Sequence, residues 1–107
     1  MKYLFIDDER FPPSNADYDD WFIARESNVA IEFVKTFGCP SFISFDHDLG
    51  GSDTAMKFIV WLIDQDIEHD IIPDNFEYYI HSQNCVGRDN IKGLIDNYLK
   101  FKSEKNY

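Results

Sequence analysis

Three short runs hold the side chains able to do chemistry: Asp7-Asp8-Glu9-Arg10, Asp46-His47-Asp48 and His81-Ser82-Gln83-Asn84. Carboxylates gathered in one place repel one another, so their pKa values rise unless a cation lies among them. Mg²⁺ or Mn²⁺ is the natural resident, because hard divalent cations favour carboxylate oxygens. His47 and His81 are two of 3 histidines in the chain, and an imidazole exchanges protons near neutral pH or ligates a metal. His69 falls in an acidic stretch and reads as structural. Asn84 to Asn90 offers an anion seat at the start of a helix, where Gly87 admits the backbone and Arg88 adds charge. A chain with 20 acids will also place some at strand ends as helix caps. Asp46 and Asp48 lie too far upstream of the next predicted helix for that role.

The elements that must position these groups alternate along the chain. Lys2 to Ile6 is an apolar run stopped by acids, the pattern of a buried strand. Residues 9–20 read as a long loop through Pro12-Pro13 and the polar turn formers after them. Trp21 to Glu26 is a more polar strand, suited to a sheet edge. Ser27 or Asn28 caps a helix to about Thr36, with Gly38 at its end. Phe42 to Phe45 is the third strand. Ser52 to Thr54 caps a second helix through about Gln65, apolar most of the way round. After an acidic loop over 66–75, Phe76 to Ile80 is the fourth strand. A last helix covers about Gly87 to Phe101, followed by a polar tail at 102–107.

Strands alternating with helices predict an α/β fold, a small open and mostly parallel sheet of about four strands with helices on both faces. The first link is the exception. A parallel crossover normally carries a helix, and 9–20 shows only loop, so the second strand is antiparallel or the loop hides a short helical turn. In open α/β sheets ligands bind beyond the carboxyl ends of the strands. Strands one, three and four deliver the three polar runs to that one edge.

The totals bound the rest. At 107 residues, 44% hydrophobic and 17% aromatic, the chain reads as one domain over 1–107 with a core of its own. A net charge of −10 opposes binding to a long nucleic acid, whose affinity rests on basic residues. It permits a small phosphorylated ligand if a cation offsets the field. No run approaches the roughly 18–20 apolar residues of a membrane span, and Met1 to Ile6 does not read as a signal peptide. Cys39 and Cys85 fall at opposite ends of a parallel sheet, so two free thiols in a reducing cytoplasm are expected.

The order of motifs resembles the receiver (flavodoxin-like) fold: an acidic pair after strand one, an Asp after strand three and a Ser after strand four, here Asp7-Asp8, Asp46 and Ser82. In receivers such residues bind Mg²⁺, accept a phosphoryl group and sense it. The chain departs from that pattern in lacking a fifth strand, the lysine that follows it, and the first helix. The fuller string fits a narrower group. Asp7-Asp8-Glu9-Arg10 with Pro12, Phe45-Asp46-His47-Asp48-Leu49-Gly50, and His81-Ser82-Gln83-Asn84 with Gly87 and Asn90 resemble the cyclic-phosphate-processing receiver-like domains, with Cys85 where a proline is expected.

The resemblance implies a metal-assisted phosphoesterase acting on a cyclic nucleotide or a 2′,3′-cyclic phosphate RNA end. Asp7, Asp8 and Asp46 would hold the divalent cation, Mg²⁺ or Mn²⁺. His47 and His81 would act as acid and base in either order, beside Asp46. Arg10, Ser82, Asn84 and Arg88 would orient the phosphate, and Asp48 would support His47 or the metal. Two other readings stay open: a degenerate receiver that binds metal, phosphate or nucleotide without turnover, and an acidic protein that occupies a basic partner surface.

Overall fold

The computed structural model describes residues 3–13 and 18–105. Four strands, β1 (Tyr3–Ile6), β2 (Trp21–Ala24), β3 (Phe42–Phe45) and β4 (Glu77–Ile80), form one sheet in the order β2-β1-β3-β4. Every pairing is parallel, with Tyr3 opposite both Trp21 and Phe42, and Phe42 opposite Glu77. This settles the orientation of β2. The loop before it ends in a 3₁₀ turn at Tyr18–Asp20, not an α-helix.

Three α-helices complete the chain: α1 (Ser27–Phe37), α2 (Ala55–His69) and α3 (Cys85–Lys105). The N-terminus of α1 is satisfied from a distance. Asp53 accepts the Ser27 backbone N–H at 2.8 Å and the Ser27 hydroxyl at 2.5 Å. Gly38, at φ 87°, ends α1 by returning its N–H to the Val34 carbonyl. Helix α2 runs past its expected end at Gln65 and stops where Asp70 turns left-handed.

The sequence pattern predicts helices on both faces of the sheet; the three α-helices instead share one. Leu4, Ile6, Ile43 and Phe45 point to that face and join a single apolar cluster with Phe33 and Val34 of α1, Phe58 and Leu62 of α2, and Ile91 and Ile95 of α3. The reason is crossover handedness, right-handed in almost every parallel unit. From β2 to β3 and from β3 to β4 the chain steps the same way across the sheet, which puts both crossover helices on one side. From β1 to β2 it steps back the other way.

The second face carries Tyr3, Phe5, Trp21, Phe42 and Ser44 by strand alternation. The rings of Tyr3, Trp21 and Phe42 close on one another with centroids 5.3–6.0 Å apart. The same alternation, continued past the strand ends, aims Asp7, Asp46 and His81 to this side.

Candidate functional site

The polar runs converge because each begins where a strand's ladder ends. Asp7 N–H still bonds the Ala24 carbonyl, Asp46 N–H the Ile6 carbonyl and His81 N–H the Phe45 carbonyl, at 3.1, 2.8 and 2.9 Å. These three positions are therefore as rigid as the sheet.

Asp7 is fully buried and its carboxylate is surrounded by donors. Oδ1 accepts the backbone N–H groups of Glu9 at 2.9 Å and Arg10 at 2.8 Å. Oδ2 accepts Arg10 Nε and His81 Nε2, both at 2.9 Å. Burial alone would raise this carboxyl's pKa, but the Arg10 and Glu9 N–H groups, His81 and the Arg10 charge together hold it below the usual carboxylate value. Arg25 braces the turn from behind, donating to the Asp7 carbonyl at 3.2 Å and the Arg10 carbonyl at 2.5 Å, with its guanidinium 4.7 Å from the Phe11 ring centre.

Arg10 ties β1 to β3. Its Nη2 lies 3.2 Å from Asp46 Oδ2, and Nη1 reaches the His81 carbonyl at 3.5 Å. Burial opposes its charge, but the Asp46 and Asp7 carboxylates outweigh that and raise its pKa.

His81 lies flat on Phe5, ring centres 4.5 Å apart and planes 5° from parallel. Its Nδ1 is 2.7 Å from the Ser44 hydroxyl. Because the ionised Asp7 can only accept, Nε2 carries the proton and Nδ1 accepts from Ser44. Burial lowers the His81 pKa, with Asp7 opposing, which keeps the ring neutral.

His47 has a different seat. Its Nδ1 is 3.1 Å from Asp48 Oδ1, and its ring packs on the first turn of α3 where Gly87 leaves room. A Cβ at Gly87 would come within 2.4 Å of the ring. Asn84 caps that helix, accepting the Gly87 N–H at 3.0 Å, and donates its amide to Asp48 Oδ2 at 3.1 Å. The Asn84 amide and His47 thereby hold the Asp48 pKa down. Ser82 is buried and accepts the Asn84 N–H at 3.1 Å. The turn from His81 into α3 is thus locked to the Asp48 loop.

Between these parts opens a cleft of about 460 Å³, lined by Asp8, Arg10, Asp46 and Asp48 on one side and Ser82 to Asn84 on the other. The family described as cyclic-phosphate processing receiver domain matches residues 2–97. The chain belongs to that family. The Ubp5-interacting protein ftp105 of Schizosaccharomyces pombe is 30% identical over 81 residues, 76% of this chain and 8% of that protein. The chain therefore spans a small fraction of that relative. No solved structure matches it.

As a cyclic-phosphate processing receiver domain, the chain places most of its sequence-predicted site residues in or beside the cleft. Asp7, Asp8 and Asp46 each offer an oxygen, all within 4.8 Å of one another, a donor set that fits a hard divalent cation. His47 stands beside the cleft through Asp48, and His81 beneath it through Asp7. Arg88 is exposed on α3 and is not part of the lining.

Two residues of this receiver domain's site escape sequence reasoning. Ser44 was hidden inside an apolar strand, although a lone hydroxyl on the same face as Asp46 was the available signal. Arg25 closes β2 with a cation aimed at the Asp7 turn. Away from the site, Asp53 falls in the stretch expected to cap α2 and instead caps α1.

Proposed function

We propose that this domain opens a cyclic phosphate, on a cyclic nucleotide or a 2′,3′-cyclic RNA end, by metal-assisted hydrolysis. The observation that carries this reading is the convergence of Asp8 and Asp46 on a cleft whose other wall is the Ser82–Asn84 turn, with a carboxylate oxygen of the buried Asp7 within 4.8 Å of theirs. A divalent cation held there by the three carboxylates supplies Lewis-acid polarisation of the phosphoryl oxygens and offsets the field of an acidic protein.

The chain's own residues supply position and proton transfer. Hydrolysis breaks one P–O ester bond and forms another from water. The attacking water gives up a proton, and the leaving oxygen takes one. His47 suits that exchange, since Asp48 fixes the ring through Nδ1 and Nε2 has no hydrogen bond among the described residues. His81 has both nitrogens engaged, and its role is to orient Asp7. Arg10, Ser82 and Asn84 hold the phosphate at the cleft wall.

The test is turnover of a panel of 2′,3′- and 3′,5′-cyclic nucleotides and a cyclic-phosphate-ended RNA, with Mg²⁺, Mn²⁺ or chelator. Activity that needs metal and disappears in His47→Ala supports the reading. Undiminished activity in that variant removes the histidine's role.

Two observations favour a second reading, a receiver that binds metal or phosphate as a regulatory module without turnover. Arg10 already neutralises Asp7 and Asp46, and the Schizosaccharomyces pombe relative is named for an interaction. Saturable phosphate or nucleotide binding with no product across the whole panel would select it.

A further inference from the structure

Asp7 has no accessible surface, and its four hydrogen bonds come from Glu9 N–H, Arg10 N–H, Arg10 Nε and His81 Nε2. A carboxylate offers about four lone-pair positions. A cation that shares Asp7 with Asp8 and Asp46 must therefore displace one donor. The two backbone donors belong to a turn that Arg25 clamps through the Asp7 and Arg10 carbonyls. His81 is held on its far nitrogen by Ser44 and across its face by Phe5.

The Arg10 side chain is not held in this way. It is 42% exposed, and its other side-chain bonds go to Asp46, a ligand the cation would also use, and to the His81 carbonyl at 3.5 Å. Of the four donors it alone can leave without unmaking backbone structure or core packing. The cleft it already lines contains Ser82, Gln83 and Asn84.

We infer that Arg10 is an exchangeable counter-ion: its guanidinium bridges Asp7 and Asp46 until a divalent cation displaces it, and the freed guanidinium then turns to the Ser82–Asn84 wall to clamp a phosphate. This rests on the cation site of the preceding reading and adds an order to it. Metal binds first and frees the anion clamp, so metal and phosphate bind cooperatively, each strengthening the other by the same factor.

The test follows the Arg10 side-chain Nε–H by NMR as Mg²⁺ and then inorganic phosphate are added to the whole chain. The Nε–H signal should leave its hydrogen-bonded position as Mg²⁺ saturates and move again with phosphate. By calorimetry, Arg10→Gln should bind Mn²⁺ on the order of tenfold tighter than wild type, the scale of one charge-assisted hydrogen bond removed. Lys57→Gln makes the same charge change on an exposed turn of α2 and should shift Mn²⁺ affinity less than about twofold. The gain in phosphate affinity that Mg²⁺ gives the wild type should shrink in Arg10→Gln to what the cation alone supplies, and an undiminished gain would overturn the clamp.

An Nε–H signal unmoved at saturating Mg²⁺, equal Mn²⁺ affinity in wild type and Arg10→Gln, or no metal binding by either protein would each overturn the exchange. Exchange without hydrolysis of any cyclic phosphate would instead remove the hydrolase reading and leave the exchange standing.

Discussion

Two buried carboxylates in this molecule are solvated by protein in similar ways and serve different ends. Asp66, on α2, accepts the Ile72 N–H at 2.7 Å, the Tyr98 hydroxyl at 2.5 Å and Lys102 Nζ at 3.0 Å. Asp7 accepts two backbone N–H groups, a histidine and an arginine. In both, burial raises the pKa and the donors more than reverse it. The Asp66 cation lies at a helix–helix seam, where its second acid, Asp70, is an exposed helix end. The Asp7 cation is shared with a second acid on another strand, Asp46, and both border an open cleft. A satisfied buried carboxylate is thus no sign of a site in itself. Two acids from different strands sharing one displaceable cation are.

Four experiments sharpen or break this contrast. The largest effect expected is on turnover: His47→Ala should slow cyclic-phosphate hydrolysis by about 10²- to 10⁴-fold while leaving the urea midpoint near wild type. Next, Asp66→Ala takes the acceptor from the Ile72 N–H and the Tyr98 hydroxyl and leaves Lys102 with Asp70 and the Ile72 carbonyl, and should cost roughly 1–3 kcal/mol of stability, measured by urea unfolding. If that variant also loses Mn²⁺ binding while still folded, the two regions are not independent and the contrast fails. Ser44→Ala removes the hydroxyl on His81 Nδ1 and should cost about 1–3 kcal/mol. Its sharper readout is the His81 ring nitrogen shifts: Asp7 should keep the proton on Nε2, while the Nδ1 signal moves to that of an acceptor that has lost its donor.

The smallest effect concerns pH. The Asp66 pKa lies below its ordinary 3.8 in the folded chain, so its contribution is complete above that value and fades as pH falls through the folded one. Unfolding free energies measured from neutral pH down into the acid range should therefore fall less steeply for Asp66→Asn than for wild type below about pH 4. Identical slopes would mean the Asp66 network adds no pH-dependent stability.

Much of the architecture is legible because largely apolar runs stop abruptly at an acid or a histidine. Phe42 to Phe45 followed by Asp46, and Phe76 to Ile80 followed by His81, mark both the strands and the groups they carry. What is not legible depends on order in space. The polarity of Trp21 to Glu26 marks β2 as an edge strand, which it is, but not as the edge beside β1, and that placement decides which face the helices cover. The end of α3 is similar. Residues 102–107 read as a polar tail, but Lys102 finds Asp66 across the molecule and the helix continues to Lys105. The role of Ser44 is hidden in the sequence because its partner, His81, arrives from the end of β4.

The central place of β1 gives the site a timetable. Asp7 meets Glu9 and Arg10 within its own turn, Asp46 only once β3 has docked, and His81 only after β4 has joined. On a ribosome, where segments emerge in order, early products would carry an Asp7 turn without its imidazole. A partly made chain therefore presents under-neutralised acids to the cell's cations before it has a finished pocket. Completion of the last strand and helix then doubles as the step that makes the chemistry available.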